Sequence, residues 1–215
     1  MKIETENKLI VNNARNRLID AGIVLFAEKG YAGTSVREIV EKAGVSKPVL
    51  YYYFYNKQGI FQTILDSAAE KFEEILKDIV DTPGTVIERL LHFYQDLYQA
   101  ILSEHQNLYR MVRNVIFALP KKEPAYDIHR FERSMDQAIK TIYLEGIEKG
   151  EVKSADPEDI ATLVMGLIDF CFHIDFYDPE CSDPARPERL LRLAFHGLAR
   201  NDQHQIEKKN EPLSE

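Results

Sequence analysis

Residues 34–54, Thr-Ser-Val-Arg-Glu-Ile-Val-Glu-Lys-Ala-Gly-Val-Ser-Lys-Pro-Val-Leu-Tyr-Tyr-Tyr-Phe, constrain the fold more than any other stretch of this 215-residue chain. Thr34 and Ser35 carry hydroxyls able to cap a helix. Val36, Ile39, Val40 and Ala43 then recur at helical spacing and give that helix one apolar stripe. Gly44 stops it, because glycine accepts the left-handed conformation that helix ends use. Ser46 is placed to cap a second short helix, and Pro48 falls in its first turn, where a missing N–H costs little. Val45 and Leu50 face inward and lock the pair. Two short helices across a tight glycine turn make a helix-turn-helix, whose second helix is suited to the DNA major groove.

The flanks extend the pattern. Leu18, Ala21, Gly22, Leu25 and Phe26 repeat at helical spacing upstream, with Gly30 as the expected stop, and Asn56 is a cap for a long helix downstream. The block from Arg17 to Phe61 resembles the DNA-binding domain of the tetracycline-repressor (TetR/AcrR) family. The resemblance rests on Ala21, Leu25-Phe26, Gly30-Tyr31, Thr34-Ser35-Val36, Ile39, Ala43-Gly44-Val45-Ser46, Leu50-Tyr51, Phe54 and Lys57, in order and in spacing. Val40, Tyr53 and Gln58 stand where alanine, histidine and glutamate are common in that family. Beyond this first quarter, the chain matches the family only in length and helical character.

Net charge is −8, at first sight wrong for a DNA binder, but it is unevenly spread. Residues 1–60 hold 9 Lys and Arg against 6 Asp and Glu, while the remainder holds 18 against 29. Phosphate binding needs local positive charge, so a basic head on an acidic body fits. Cys171 and Cys181 have neither zinc-site nor CxxC spacing, and Cys171, inside an apolar run, is expected to be a buried thiol. No leader is read at the polar N-terminus, and no apolar run is read as long enough for a bilayer span, which predicts a cytoplasmic protein with no membrane partner.

Strand signals are almost absent, so the fold class is all-α with about nine helices, near 9–29, 35–43, 46–52, 57–79, 84–103, 106–118, 125–149, 156–177 and 187–200. Asp156 and Pro157 are a strong start signal for the eighth. Residues 1–56 are read as a three-helix DNA-binding head, 57–200 as a helical ligand-binding and dimerisation bundle, and 201–215 as a polar tail. The fourth helix joins head to bundle as a stiff lever.

Lys47, Pro48, Val49, Tyr51 and Tyr52 are expected on the exposed face of the recognition helix. Lys47 is suited to guanine or to phosphate, Pro48 and Val49 to thymine methyls, and the tyrosine hydroxyls to phosphates or base edges. The resemblance implies backbone contacts from Thr34, Ser35 and Arg37 at the start of the preceding helix, from Ser46, and from Lys57. Tyr53 and Phe54 are expected to pack. One head makes few base contacts, which predicts a homodimer on a palindromic double-stranded operator, its half-sites about one DNA turn apart.

The eighth helix is apolar nearly all round and must be covered on more than one side. With the ninth it resembles the family's four-helix dimer interface. The resemblance also implies a small-molecule effector pocket inside the bundle. Candidate lining residues are the aromatics Tyr94, Tyr98, Phe117 and Phe131 and the polar groups Arg110, Arg113, Asp169 and His173. Asp169 and His173 lie four apart on one helix face, suited to an effector, a dimer contact or a metal; no third ligand is evident, and no cofactor is expected. An apolar or aromatic effector is expected to release a repressor from its operator. Activation, or a ligand-binding module with an inactive head, are the alternatives. No P-loop, HExxH, G-x-S-x-G or dinucleotide-binding turn is present, so no catalysis is expected.

Overall fold

The computed structural model describes residues 2–104, 106–117 and 126–197. The expected loop at 119–124, the polar tail and the Phe117 side chain lie outside the described residues. Among those described, every regular element is helical: α1 (Lys2–Gly33), α2 (Val36–Ala43), α3 (Lys47–Phe54), α4 (Lys57–Asp81), α5 (Val86–Glu104), α6 (Gln106–Phe117), α7 (His129–Glu148), α8 (Pro157–Tyr177) and α9 (Arg186–His196), with one 3-10 turn at Pro179–Cys181. The expected break at Gly30 is real: its φ of 68° and ψ of 173° interrupt α1, and one further turn follows.

The head is built as its sequence dictates. Ser35 and Glu38 form a reciprocal capping box at the start of α2. Gly44 closes the helix at φ 62° and ψ 40°, its N–H donating to the Glu41 carbonyl at 3.2 Å while that of Val45 donates to Val40 at 3.0 Å. This paired closure satisfies two end carbonyls and turns the chain into α3. Ile39, Val40, Ala43, Leu50 and Phe54 meet Leu18, Phe26 and Phe61 in the head core. That core runs past residue 56 to Leu65 of α4, and it takes in Met111 and Val115 of α6.

The α3–α4 junction is tight. Asn56 N donates to the Phe54 carbonyl at 2.7 Å, two residues back, so Tyr55 sits at the centre of a γ-turn with φ 65° and ψ −44°. Gly59 then packs against the same carbonyl; a Cβ there would lie 1.9 Å from Phe54 O. Only glycine fits.

A second core fills the body, with Leu90, Phe93 and Tyr94 of α5 against Ile139 and Ile142 of α7, Val164, Ile168 and Phe172 of α8, and Leu191 of α9. Buried Arg89 bolts the far end of α4 to it. Its Nε donates to the Ile79 carbonyl at 3.3 Å, its Nη2 to the Val80 carbonyl, and its Nη1 pairs with Glu145 at 2.6 Å. Carbonyls at a helix C-terminus lack intrahelical partners, and a guanidinium satisfies two of them at once. Asp156 caps α8 as expected, accepting from Glu158 N at 2.9 Å.

The expected absence of a span-length apolar run is corrected by α8. At 21 residues, this helix is long and apolar enough by composition to cross a membrane. Asp169 and Asp175 read as interruptions in the sequence, yet the apolar stretch around them reaches spanning length.

Candidate DNA-reading face and ligand chamber

The recognition helix α3 presents a narrow exposed face. Lys47 and Pro48 are exposed, as are Tyr51 and Tyr52, the latter 77% accessible. Ser46 precedes the helix in extended conformation, exposed and making no side-chain cap bond. Val49 sits lower than expected, half-buried against the head core. Tyr53 and Phe54 pack, as the sequence predicts. Arg37 stands on the exposed side of α2, its Nε 2.6 Å from Glu41. Tyr55, 87% accessible, extends the face and escapes sequence reasoning, because a bulky residue at positive φ carries no sequence signal.

Two expected backbone contacts are placed differently. Thr34 is 2% accessible, and its hydroxyl donates to the carbonyls of Leu25 at 3.1 Å and Gly30 at 2.9 Å. A hydroxyl spent on bracing the Gly30 break does not face a phosphate. The Lys57 ammonium donates to the carbonyls of Tyr31 at 2.7 Å and Thr34 at 2.8 Å, and lies 4.0 Å from the Tyr31 ring centre. It staples the end of α1 to the start of α4. Ser35 is also engaged, its N–H and hydroxyl on Glu38, whose carboxylate binds Lys29 at 2.6 Å. The bond from Lys29, then those from Ser35, hold the Glu38 pKa down at about 2.

In the body, α4, α5, α6, α7 and α8 line a half-open chamber of about 650 Å³. Its walls are mostly apolar, including Phe72, Ile75, Val112, Ile116, Met135, Met165 and Phe172. This is the size and lining of a small-molecule site. Of the residues expected from the sequence, Arg113, Phe131 and Asp169 line it. Arg113 Nη1 bridges from α6 to Asp169 Oδ1 on α8, and its guanidinium lies 5.8 Å from the Tyr109 ring centre. Burial pushes the Tyr109 hydroxyl up to about 12, so it stays a neutral donor at ordinary pH.

The other candidates fall elsewhere. Tyr94 is buried, its hydroxyl donates to Asp175, and Ser182 donates to the other Asp175 oxygen at 2.7 Å. Burial, then that carboxylate, push the Tyr94 pKa up. Tyr98 stacks on Tyr94 with ring centres 6.0 Å apart, outside the chamber lining. Arg110 is exposed outside the chamber, and so is His173, whose ring rests 5.0 Å from that of Tyr177. These four lie outside this chamber: Tyr94 and Tyr98 belong to an aromatic cluster, Arg110 and His173 to the surface. Asp169 turns to Arg113, and no metal-holding group of three side chains forms among the described residues.

A fold that is helical throughout the described residues, with an exposed recognition helix and an apolar chamber, has the architecture of a DNA-binding regulator. Residues 18–64 match the family model of bacterial regulatory proteins, tetR family. The HTH-type transcriptional regulator YvkB of Bacillus subtilis is 28% identical over 158 residues, 71% of this chain and 77% of that one. The HTH-type transcriptional repressor KstR2 of Mycobacterium tuberculosis is 27% identical over 142 residues, 65% of this chain and 70% of that one. In fold, the chain resembles FadR from Bacillus subtilis, solved in complex with stearoyl-CoA, with a TM-score of 0.67 at 23% identity over 85% of this chain and 98% of that one. Residues 18–64 therefore carry a tetR-family DNA-binding domain, and the chain as a whole is similar to HTH-type transcriptional regulators of that kind.

Proposed function

We propose that this protein is a homodimeric repressor that binds a palindromic operator through α2 and α3 and leaves it when a small apolar or aromatic effector fills the chamber. The observation that carries the reading is the pairing of an exposed Lys47-Pro48/Tyr51-Tyr52 face with an apolar 650 Å³ chamber, joined by α4. Arg37, Ser46, Lys47, Tyr51 and Tyr52 form the DNA-contacting set in this reading, with the N-terminal turn of α2 toward a phosphate. KstR2 is named as a repressor and FadR was solved holding stearoyl-CoA, which lends support to both halves. The head is taken as 1–56 and the ligand-binding and dimerisation bundle as 57–200.

The dimer seam is assigned to α8 with α9. Leu163, Gly166, Phe170, His173 and Tyr177 form one exposed stripe along α8, with Phe170 59% accessible, and Leu193 of α9 is exposed as well. An apolar stripe of this kind is costly in water and calls for a cover. A Cβ built at Gly166 meets nothing within 4 Å, leaving room for a second helix to cross close by. Covering α8 with its twofold copy also accounts for its bilayer-like composition in a DNA-binding regulator.

Selection of bound sequences from a random DNA pool, with and without candidate effectors, tests the reading. Enrichment of a palindrome that an effector releases is the expected outcome. A folded dimer that enriches nothing at low salt overturns it.

A further inference from the structure

The chamber wall holds a charged pair of unequal partners. The Arg113 side chain is 12% accessible, while that of Asp169, which binds it, is 51% accessible. The guanidinium thus sits among apolar groups and over Tyr109, and the carboxylate reaches it from the wet side. The other charged lining residues, Lys71, Glu74, Asp78 and Glu132, are exposed, where solvent screens them. A guanidinium removed from water needs an anion beside it, and Asp169 fills that place.

We propose that the chamber takes an amphipathic acid, its apolar tail among Phe72, Val112 and Phe131 and its carboxylate on Arg113 in place of Asp169. This rests on the reading of the chamber as the effector site. The exchange is charge-neutral: one carboxylate replaces another beside Arg113. The geometry suits it, because the planar fork of a guanidinium binds a carboxylate through two parallel bonds. Asp169 leaves at little cost, since half of its side chain is already in water. A neutral amphiphile has nothing to offer Arg113, and a cationic one finds only screened carboxylates at the rim. Asp169 is exposed beside the α8 stripe as well as lining the chamber, so its release changes the charge presented next to the proposed seam.

The test is calorimetric titration of the full chain with dodecanoate, dodecanol and dodecyltrimethylammonium below their micellar concentrations, on the unaltered protein and on Arg113→Gln, Arg113→Lys and Asp169→Asn. Dodecanoate is expected to bind about tenfold more tightly than dodecanol, the equivalent of one charge-assisted hydrogen bond. That preference is expected to vanish in Arg113→Gln, to persist in Arg113→Lys, and to grow in Asp169→Asn, where the internal competitor is gone. Equal binding of acid and alcohol, tighter binding of the cation, or an unchanged preference in folded Arg113→Gln overturns the proposal while leaving the chamber a ligand site. Should Arg113→Gln not fold, the Arg113→Lys and Asp169→Asn titrations still decide. Binding of none of the three probes overturns both the proposal and the effector-site reading.

Discussion

Lys57→Met separates two roles for a residue that the family resemblance assigns to the DNA backbone and the structure assigns to the protein. In the folded head its ammonium makes two bonds to carbonyls, at 2.7 and 2.8 Å, and rests 4.0 Å from the Tyr31 ring centre. It is also the first residue of α4, where a positive charge opposes the helix dipole, so its position needs those partners. A hydrogen bond to a charged group contributes about 1.5–3 kcal/mol and an exposed cation–π contact about 0.5–1 kcal/mol. Taking the low end of each, and discounting for a half-exposed site where water competes, the staple contributes about 2 kcal/mol. Methionine keeps the aliphatic stem and removes only the charge. For a chain of this length that loss lowers Tm by roughly 4–8 °C, read by circular dichroism. The salt dependence of operator binding is the complementary measurement. Were Lys57 bound to phosphate, its removal from both halves of a dimer would flatten the slope of log K against log salt by about 1.8, whereas removal of an internal staple leaves the slope unchanged. An unchanged Tm with a flattened slope would refute the internal role.

Gly59→Ala places a Cβ 1.9 Å from the Phe54 carbonyl, so denaturant unfolding should show a loss of at least about 3 kcal/mol; a loss under about 1 kcal/mol means the junction opens easily. Tyr55→Gly relieves a positive φ in a half-turn away from both cores, so Tm should hold or rise; a clear fall would mean the Tyr55 ring contributes packing. Glu38 is held at about pKa 2 in the folded head, below its ordinary 4.5, so its contribution is fully present above about pH 4.5 and disappears as pH falls toward 2; Glu38→Gln should flatten that limb of the stability curve and leave the neutral-pH limb unchanged in slope. Phe170→Glu sets a charge on the most exposed large apolar side chain of the α8 stripe, and sedimentation should show monomer; a persisting dimer places the seam elsewhere.

The parts legible in the sequence are those fixed by local chemistry. Ser35, Gly44, Asn56 and Asp156 are readable as helix punctuation because a cap depends on a side chain and the few residues beside it. Core stripes such as Ile39-Val40-Ala43 are readable because a short helix has one apolar side. What stays hidden depends on distant partners. Thr34 looks like a cap and proves to be a buried brace, since the Leu25 and Gly30 carbonyls that hold it lie on another helix. Arg89 reads as one more charge on α5, and only the fold brings the end of α4 onto it. The chamber is hardest of all, because a phenylalanine that lines a cavity and one that fills a core have the same sequence spacing. Phe131 and Tyr94 carry the same sequence signal, and the fold sends one to the chamber and the other to the core.

The two routes from chamber to head are unequal in stiffness, and that decides where a ligand can act. Helix α4, about 38 Å long at 1.5 Å per residue, contributes Phe72 and Ile75 to the chamber. It is held along its length by the Lys57 staple, by a fork of two 2.6 Å bonds between Glu73 and Arg130, and by buried Arg89 at its far end. Helix α6 faces the chamber with Val112, Arg113 and Ile116 and the head core with Met111 and Val115, sides of one short helix. Asn114 adds a 3.3 Å bond to the Ala27 carbonyl of α1. Moving α4 means breaking several charge-assisted ties at once, of which the Arg89 set is buried and the Lys57 and Glu73–Arg130 ties are part-buried, a combined cost beyond the roughly 1–3 kcal/mol that allosteric coupling commonly commands. Moving α6 means exchanging the Arg113–Asp169 pair, which a ligand carboxylate compensates on the spot, and repacking Met111 and Val115 against α1. On the proposed function, an effector in the chamber would therefore reach the DNA-reading face most cheaply through α6 and the head core, with α4 following as a rigid body rather than leading.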